Sequence, residues 1–315
     1  MPEPDLSVEL AGLRLRNPVM LAAGILGLTA ATLKRAYEAG AGAVVTKSIG
    51  PEPRAGFSTP ILVELECGLL NAVGLSNPGA EHFARELQAL RAEGVPVVAS
   101  VFAFRAEDYA RVAARLAEAG ALALELNVSC PHVSGVREIG SRPELVEAVV
   151  RAVKDEVPDK PVFVKLSPNV ADIAAIGLAA EGAGADGVVA INTVRALAID
   201  VELRRPVLAA GFGGLSGPAI KPIAVRAVAE LYMALDVPVI GCGGVMGWRD
   251  AAELILAGAS AVQVGSAIYY RGLGVFRAIT SGLAAYMERM GYSRVADMVG
   301  DGLKGLAGRA GEGGR

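Results

Sequence analysis

The chain has 315 residues and uses amide and ammonium side chains sparingly. It holds six asparagines, of which Asn17 and Asn77 stand before prolines and read as turn residues. The other four are Asn71, Asn127, Asn169 and Asn192. Lysine occurs seven times against 23 arginines, and two of the seven, Lys47 and Lys165, end apolar runs. An asparagine side chain offers donors and an acceptor in one plane, so several at one site would suit a flat, polar heterocycle. Gly243-Gly244 and Gly265-Ser266 follow two further apolar runs, where backbone N–H groups could cradle a phosphate. Cys130, in Asn127-Val128-Ser129-Cys130-Pro131, opens a loop to Gly140 that could close over a substrate and exclude water. Cys67 and Cys242 read as small buried hydrophobes. His82 falls in a helical stretch after Pro78; His132 could tune Cys130 or simply face solvent.

These residues need a scaffold that brings the ends of apolar runs together. Four runs open with Pro-Val, at Pro18, Pro96, Pro161 and Pro238. Four open with Gly-Ala, at Gly42, Gly120, Gly184 and Gly258, and the two kinds alternate along the chain. Proline is tolerated at the first residue of a strand, and a glycine past a helix end accepts the left-handed conformation that closes it. Between the runs lie segments of helical period, among them Thr29–Ala39, Asp108–Ala119, Pro143–Glu156, Val170–Glu181, Ala219–Leu235 and Trp248–Leu256. Ser141-Arg142-Pro143-Glu144 has capping-box spacing. Eight β/α pairs predict an α/β fold, a single (β/α)8 TIM barrel over residues 1–299, with a Gly-rich, frayed tail at 300–315. A doubly wound sheet is the alternative, but no Gly-x-Gly-x-x-Gly follows the first strand. Segments 49–80 and 195–217 exceed a simple βα unit and predict extended loops at the C-terminal face of the strands, where barrels keep their chemistry.

Composition narrows the class. Hydrophobic residues make up 53% and charged residues 20%, too apolar for a disordered chain. A net charge of −3 provides no basic footprint for nucleic acid. The longest uncharged run, Leu254 to Tyr270, is 17 residues interrupted by glycine and polar residues, short for a membrane span. The N-terminus has neither the basic nor the apolar region of a secretory signal, and three scattered cysteines form no disulfide framework, metal site or iron–sulfur motif. A cytoplasmic enzyme with no membrane association is the expectation. Lys165 has three readings: a side chain reaching out to solvent, a Schiff-base lysine, or a charge at the barrel mouth beside a flavin ring, where it would stabilise the anionic reduced form. Lys47 shares the ambiguity.

The motifs in order resemble the class 1 dihydroorotate dehydrogenases, from about Leu6 to Ile279. They are Asn17-Pro18-Val19 with Ala22-Ala23-Gly24; Thr46-Lys47-Ser48; Asn71-Ala72-Val73-Gly74-Leu75-Ser76-Asn77-Pro78-Gly79; and Glu125-Leu126-Asn127-Val128-Ser129-Cys130-Pro131. Lys165-Leu166-Ser167-Pro168-Asn169, Ile191-Asn192-Thr193, Gly213 to Pro222, Gly241-Cys242-Gly243-Gly244 and Val264-Gly265-Ser266-Ala267 complete the set. The resemblance implies oxidation of (S)-dihydroorotate to orotate in de novo pyrimidine biosynthesis. Hydride would pass from C6 to N5 of FMN while Cys130, the catalytic base, removes the C5 proton. Lys47, Asn71, Ala72, Val73, Gly74, Leu75, Asn127, Asn192 and Thr193 would hold the substrate. Ala23, Lys47, Ser48, Ser100, Asn127, Lys165, Ile191, Gly217, Gly243, Gly244, Gly265 and Ser266 would hold FMN; no metal is implied.

Three positions depart from the family pattern: Ser100 where an Asn is frequent, Ala23 where a Ser is frequent, and His132 where an Asn follows Cys-Pro. The first two bear on flavin hydrogen bonding, the third on ordering of the loop. Asn71-Ala72-Val73-Gly74-Leu75 looks like the NAD-linked class 1B, which implies a homodimer working with a second subunit that carries FAD and a [2Fe–2S] cluster. Two other enzymes are consistent with the same residues. One is another FMN barrel reducing pyrimidines, like the dihydropyrimidine dehydrogenase catalytic domain; the other is a Schiff-base lyase.

Overall fold

The computed structural model describes residues 3–129 and 134–305. Eight parallel strands close into a barrel: β1 (Val19–Leu21), β2 (Ala43–Val45), β3 (Val97–Val101), β4 (Ala123–Asn127), β5 (Val162–Leu166), β6 (Gly187–Ala190), β7 (Val239–Cys242) and β8 (Ala259–Val264). Each pairs with its sequence neighbours, and β8 closes on β1 through Val262–Val19 and Val264–Leu21. All eight strands begin within two or three residues of the expected Pro-Val or Gly-Ala dipeptide. Their residues are buried almost throughout, because the barrel interior covers one face and the helices cover the other. That arrangement absorbs the high apolar content.

The helices of the outer ring are α1 (Ala30–Glu38), α2 (Ala80–Ala92), α3 (Ala106–Ala119), α4 (Pro143–Glu156), α5 (Ile173–Gly182), α6 (Lys221–Ala234), α7 (Trp248–Leu256) and α8 (Val275–Met290). Thr29 caps α1 by accepting from Thr32 N–H, and Asp172 caps α5 by accepting from Ala175 N–H. The apolar stripe of each helix faces the sheet: Val146, Val149, Val150 and Val153 in α4 are all buried. Full burial of each such side chain contributes about 1.5–3 kcal/mol. The uncharged run from Leu254 resolves into the end of α7, a turn at Gly258, β8 and a short helix, Ala267–Arg271. Among the described residues no helix is long and apolar enough to cross a membrane.

Two local expectations are corrected. The capping box before α4 does not form: Arg142 is the cap residue without a side-chain bond, and Ser141 donates instead to the Glu138 carbonyl. Pro143 at the first helical position sets the helix start one residue later than that box requires, and Arg142 pairs with Glu144. The left-handed closing residue is glycine at Gly120, Gly184 and Gly258, but at the first junction it is Gly40, not Gly42. Gly42 is needed for a different reason: a Cβ there would lie 2.2 Å from the Asn17 carbonyl oxygen.

The two long segments do not remain loops. Val194–Ala196, Gly213–Ser216, Gly68–Asn71 and Leu62–Leu65 form, in that order, an antiparallel sheet over the C-terminal mouth of the barrel. The approach is close, since a Cβ on Gly68 would lie 2.0 Å from the Ser216 carbonyl oxygen. A small hairpin, Ile199–Asp200 with Arg205–Pro206, extends from this crown and exposes Ile199, Val201 and Leu203. The Gly-rich segment from Gly300 begins with a turn, Asp301–Leu303; Gly300 N–H donates to the Ile255 carbonyl, and residues 306–315 lie outside the described residues.

Candidate active site

A cavity of about 380 Å³ opens between the barrel mouth and the crown sheet, within the usual range for small-molecule sites. Side chains alternate along a strand, so Asn127 and Glu125 face the interior in successive layers. Both line the cavity. Asn127 pairs in register with Lys165 on β5, which puts an amide and an ammonium side by side at the same level. Lys165 is 6% exposed and lines the cavity, so the solvent-facing reading is excluded.

The polar end is cross-linked by hydrogen bonds. Asn127 Nδ2 donates to Ser48 Oγ at 2.9 Å, and Ser48 Oγ meets Ser100 Oγ at 3.0 Å. Ser129 donates to Asn127 Oδ1 from both its backbone N and its Oγ at 3.2 Å. Asn192 Nδ2 reaches Ser129 Oγ at 2.8 Å, and Asn192 Oδ1 accepts from Thr193 N at 2.7 Å. Tyr109, from α3, anchors the Asn127 carbonyl at 2.9 Å. Below this ring, Lys165 Nζ donates to Gln263 Oε1 at 2.7 Å, and Gln263 Nε2 donates to Glu125 Oε2 at 2.5 Å.

The opposite end is built from backbone. Gly243, Gly244, Gly265 and Ser266 line the same cavity beyond β7 and β8. Gly244 adopts φ +72, and a Cβ there would lie 2.9 Å from Lys221 N. The helix α6 is therefore seated directly against this turn. Gly217, at φ +97, packs against Gly68 of the crown.

The structure brings together most of the positions that the sequence singles out. Ala23, Lys47, Ser48, Asn71, Val73, Gly74, Leu75, Asn127, Lys165, Ile191, Asn192, Thr193 and Gly217 all line this cavity with the two glycine turns. Ala72 does not: it is buried in a small cluster with Leu70 and Leu208, apart from the cavity lining. Ser100 lies behind Ser48, fully buried. Asn169 lies outside the cavity and instead clamps the chain after β6, donating to the Thr193 carbonyl and accepting from Arg195 N. Cys130 and His132 lie outside the described residues. Cys67 is exposed, not buried, because its turn between the crown strands faces outward; Cys242 is partly buried and lines the cavity.

Sequence reading missed Gln263, Glu125 and Tyr269 as cavity residues. The first two carried a signal: each is a polar residue inside an otherwise apolar strand. Tyr269 donates to Glu64 of the crown at 3.1 Å, and this bond, with the nearby carboxylate charge, raises its pKa above the ordinary tyrosine value.

Comparison with known proteins agrees with this geometry. The family model for dihydroorotate dehydrogenase matches residues 5–287. The chain is 53% identical over 300 residues to the dihydroorotate dehydrogenase B (NAD(+)) catalytic subunit of Pyrococcus abyssi, covering 95% of this chain and 99% of that protein. It is 56% identical over 295 residues to the protein of the same name from Methanosarcina acetivorans, covering 93% and 94%. The crystal structure of DHODH from Eimeria tenella in complex with ferulenol superposes with a TM-score of 0.84 at 24% identity, covering 95% of this chain and 89% of that one, a likeness of fold. A closed eight-stranded barrel, a crowned cavity and relatives matched over nearly their whole length lead to one assignment: the chain belongs to the dihydroorotate dehydrogenase family.

Proposed function

We propose that this chain oxidises (S)-dihydroorotate to orotate in de novo pyrimidine biosynthesis, as the catalytic subunit of an NAD-linked, class 1B enzyme with FMN as resident cofactor and Cys130 as base. One observation carries the reading. A single cavity runs from the amides of Asn71, Asn127 and Asn192, past Lys165, to the glycine turns at Gly243-Gly244 and Gly265-Ser266.

The residues present fit FMN. Planar amides and a buried lysine line the cavity, as do apolar Ile191 and Val245, and the turns beyond β7 and β8 offer three glycines and Ser266. A Cβ on Gly24, on the cavity wall, would meet nothing within 4 Å. Ala23, Lys47, Ser48, Asn127, Lys165, Ile191 and Gly217 would hold the ring and ribityl chain, with the four glycine-turn residues on the phosphate and Ser100 supporting Ser48 from behind. When bound, FMN supplies the acceptor for the hydride that leaves C6 of dihydroorotate.

The remaining work falls to side chains. Lys47, Asn127, Asn192 and Thr193, with the Asn71–Leu75 segment, hold the substrate ring and carboxylate; Ala72 anchors that segment by packing with Leu70 and Leu208. Asn127 and Asn192 are already braced by Ser48, Ser129 and Thr193, so little freedom is lost when substrate binds. Cys130 takes the C5 proton. A free thiol has a pKa near ~8.5, so its thiolate fraction grows from neutral toward alkaline pH. In this reading Lys165 acts as a hydrogen-bond donor and forms no Schiff base.

The same reading places the chain in a cytoplasmic homodimer with a partner subunit that carries FAD and a [2Fe–2S] cluster. Exposed Ile199, Val201, Leu203 and Phe212 along the crown support a protein partner there. The decisive experiment is anaerobic: the purified chain is expected to be yellow, to release FMN on denaturation, and to bleach on addition of dihydroorotate. A yellow protein that does not bleach would remove the substrate and keep the flavin.

A further inference from the structure

Beneath the polar ring lies a buried chain of three side chains from three strands. Lys165 is 6% exposed, while Gln263 and Glu125 are each 1% exposed. The orientation of the middle amide is determined by its neighbours. An ammonium can only donate and a carboxylate can only accept, so Gln263 must turn Oε1 to Lys165 and Nε2 to Glu125. The lysine is thus held by a carboxylate that it does not touch.

This arrangement has an electrostatic consequence. A direct lysine–carboxylate pair would cancel the ammonium at close range. The amide spacer keeps the two groups apart, so the Lys165 side chain is not paired directly with a carboxylate while its burial is partly compensated from below. Glu125 Oε1 has no hydrogen-bond partner, the sole buried side-chain nitrogen or oxygen in that condition among the described residues. The carboxyl group therefore rests on a single donor, Gln263 Nε2, and in an interior of low dielectric a charge acts over a longer range than it would in water.

We propose that Glu125 and Gln263 are positioning residues that set the charge Lys165 presents to the cavity, and through it the reduction potential of the flavin. The inference rests on the FMN reading above. Reduction adds negative charge to the ring, so any change in net charge beneath it shifts the balance between the two redox forms.

The test uses the holoenzyme and two isosteric variants, with the flavin midpoint potential measured by spectroelectrochemistry. E125Q preserves an acceptor for Gln263 Nε2 but removes the compensating charge. Reduced flavin is then favoured over oxidised by about tenfold, an upward shift of ~30 mV for a two-electron couple. The swapped pair E125Q/Q263E keeps the three-membered chain and its net charge but moves the carboxylate into contact with Lys165, and the potential shifts downward. Opposite signs support the proposal. Folded, yellow variants with unchanged potentials, or with shifts of one sign, overturn it, because a merely structural role would change melting temperature and flavin content alone. If only one variant folds, its own sign decides: E125Q unchanged or lowered, or the swap unchanged or raised, refutes the relay. A wild-type protein that releases no FMN on denaturation refutes the cofactor reading instead.

Discussion

Asn127 Nδ2, on β4, donates to Ser48 Oγ, just past the end of β2, at 2.9 Å although a whole strand, β3, lies between β2 and β4. Ser100 on that strand completes the bridge at 3.0 Å from Ser48. The bond fixes which way the amide faces: its NH₂ is committed to Ser48, so its oxygen faces Ser129 and Asn192. An amide free to flip would present either a donor or an acceptor to a ring bound beside it.

Asn127→Ala is therefore expected to lower kcat/KM for dihydroorotate by about 10²-fold, or ~2.7 kcal/mol of transition-state stabilisation. Ser100→Ala removes only the far end of the bridge and should cost about 1 kcal/mol in stability, with a small effect on rate. Steady-state kinetics with melting curves separate the two. Equal losses of activity would mean that the bridge, not the amide itself, does the work.

Cys130→Ala should reduce turnover by at least about 10², the usual contribution of a positioned base, while flavin content stays normal. In the unsubstituted enzyme kcat/KM should rise from neutral toward alkaline pH, following the thiolate. A profile that is flat from pH 6 to 9, with chemistry rate-limiting, would show that another group takes the proton.

Gly244 combines two demands. Its φ of +72 disfavours any side chain, and a Cβ would come within 2.9 Å of Lys221 N and Cα. Gly244→Ala should destabilise the fold by about 1–3 kcal/mol and weaken retention of FMN. Gly211→Ala is the control: φ is +77 but nothing lies within 4 Å, so only backbone strain of about 1 kcal/mol is expected, with flavin retained. Equal flavin loss in both would mean that strain alone explains it.

Tyr292 and Asp301 both lie in the segment after α8, and the hydrogen bond between them ties that segment together. The hydrogen bond to Asp301, helped by burial and the carboxylate charge, pushes the Tyr292 hydroxyl up to about 12. Asp301 is held below its usual value, first by Lys304 and then by Tyr292. The raised tyrosine pKa contributes stability that is complete below pH ~10 and lost as pH rises through about 12. The lowered Asp301 pKa contributes stability present above its ordinary value and lost on acidification below it. Tyr292→Phe should cost about 1 kcal/mol at neutral pH and remove the loss of stability between pH 10 and 12. Urea denaturation midpoints across that range measure it.

How much was legible beforehand follows from which interactions are local. Strand entries are short-range signals: Pro238-Val239 and Gly258-Ala259 announce β7 and β8 because proline, glycine and β-branched residues constrain their own backbone. Eight such entries in order imply the barrel, and a barrel implies that strand ends converge. Hence Lys47, Asn127, Lys165 and Asn192 could be assigned to one mouth from sequence position alone.

Other features depended on contacts distant in sequence. Segments 49–80 and 195–217 carry no pattern that pairs Asn71 with Gly214, yet that pairing builds the crown and sets Asn71 over the cavity. Asn169 looks like its sister asparagines until the fold turns it aside to clamp Thr193 and Arg195. Glu125 and Gln263 are 138 positions apart, and only closure of the barrel brings a carboxylate, an amide and an ammonium into one buried line. The sequence by itself determined the barrel and the ring of polar residues at its mouth, because backbone preference and strand alternation are local. Tertiary structure decided which of those residues touch, because pairing across a closed sheet depends on register and on partners that no local pattern names.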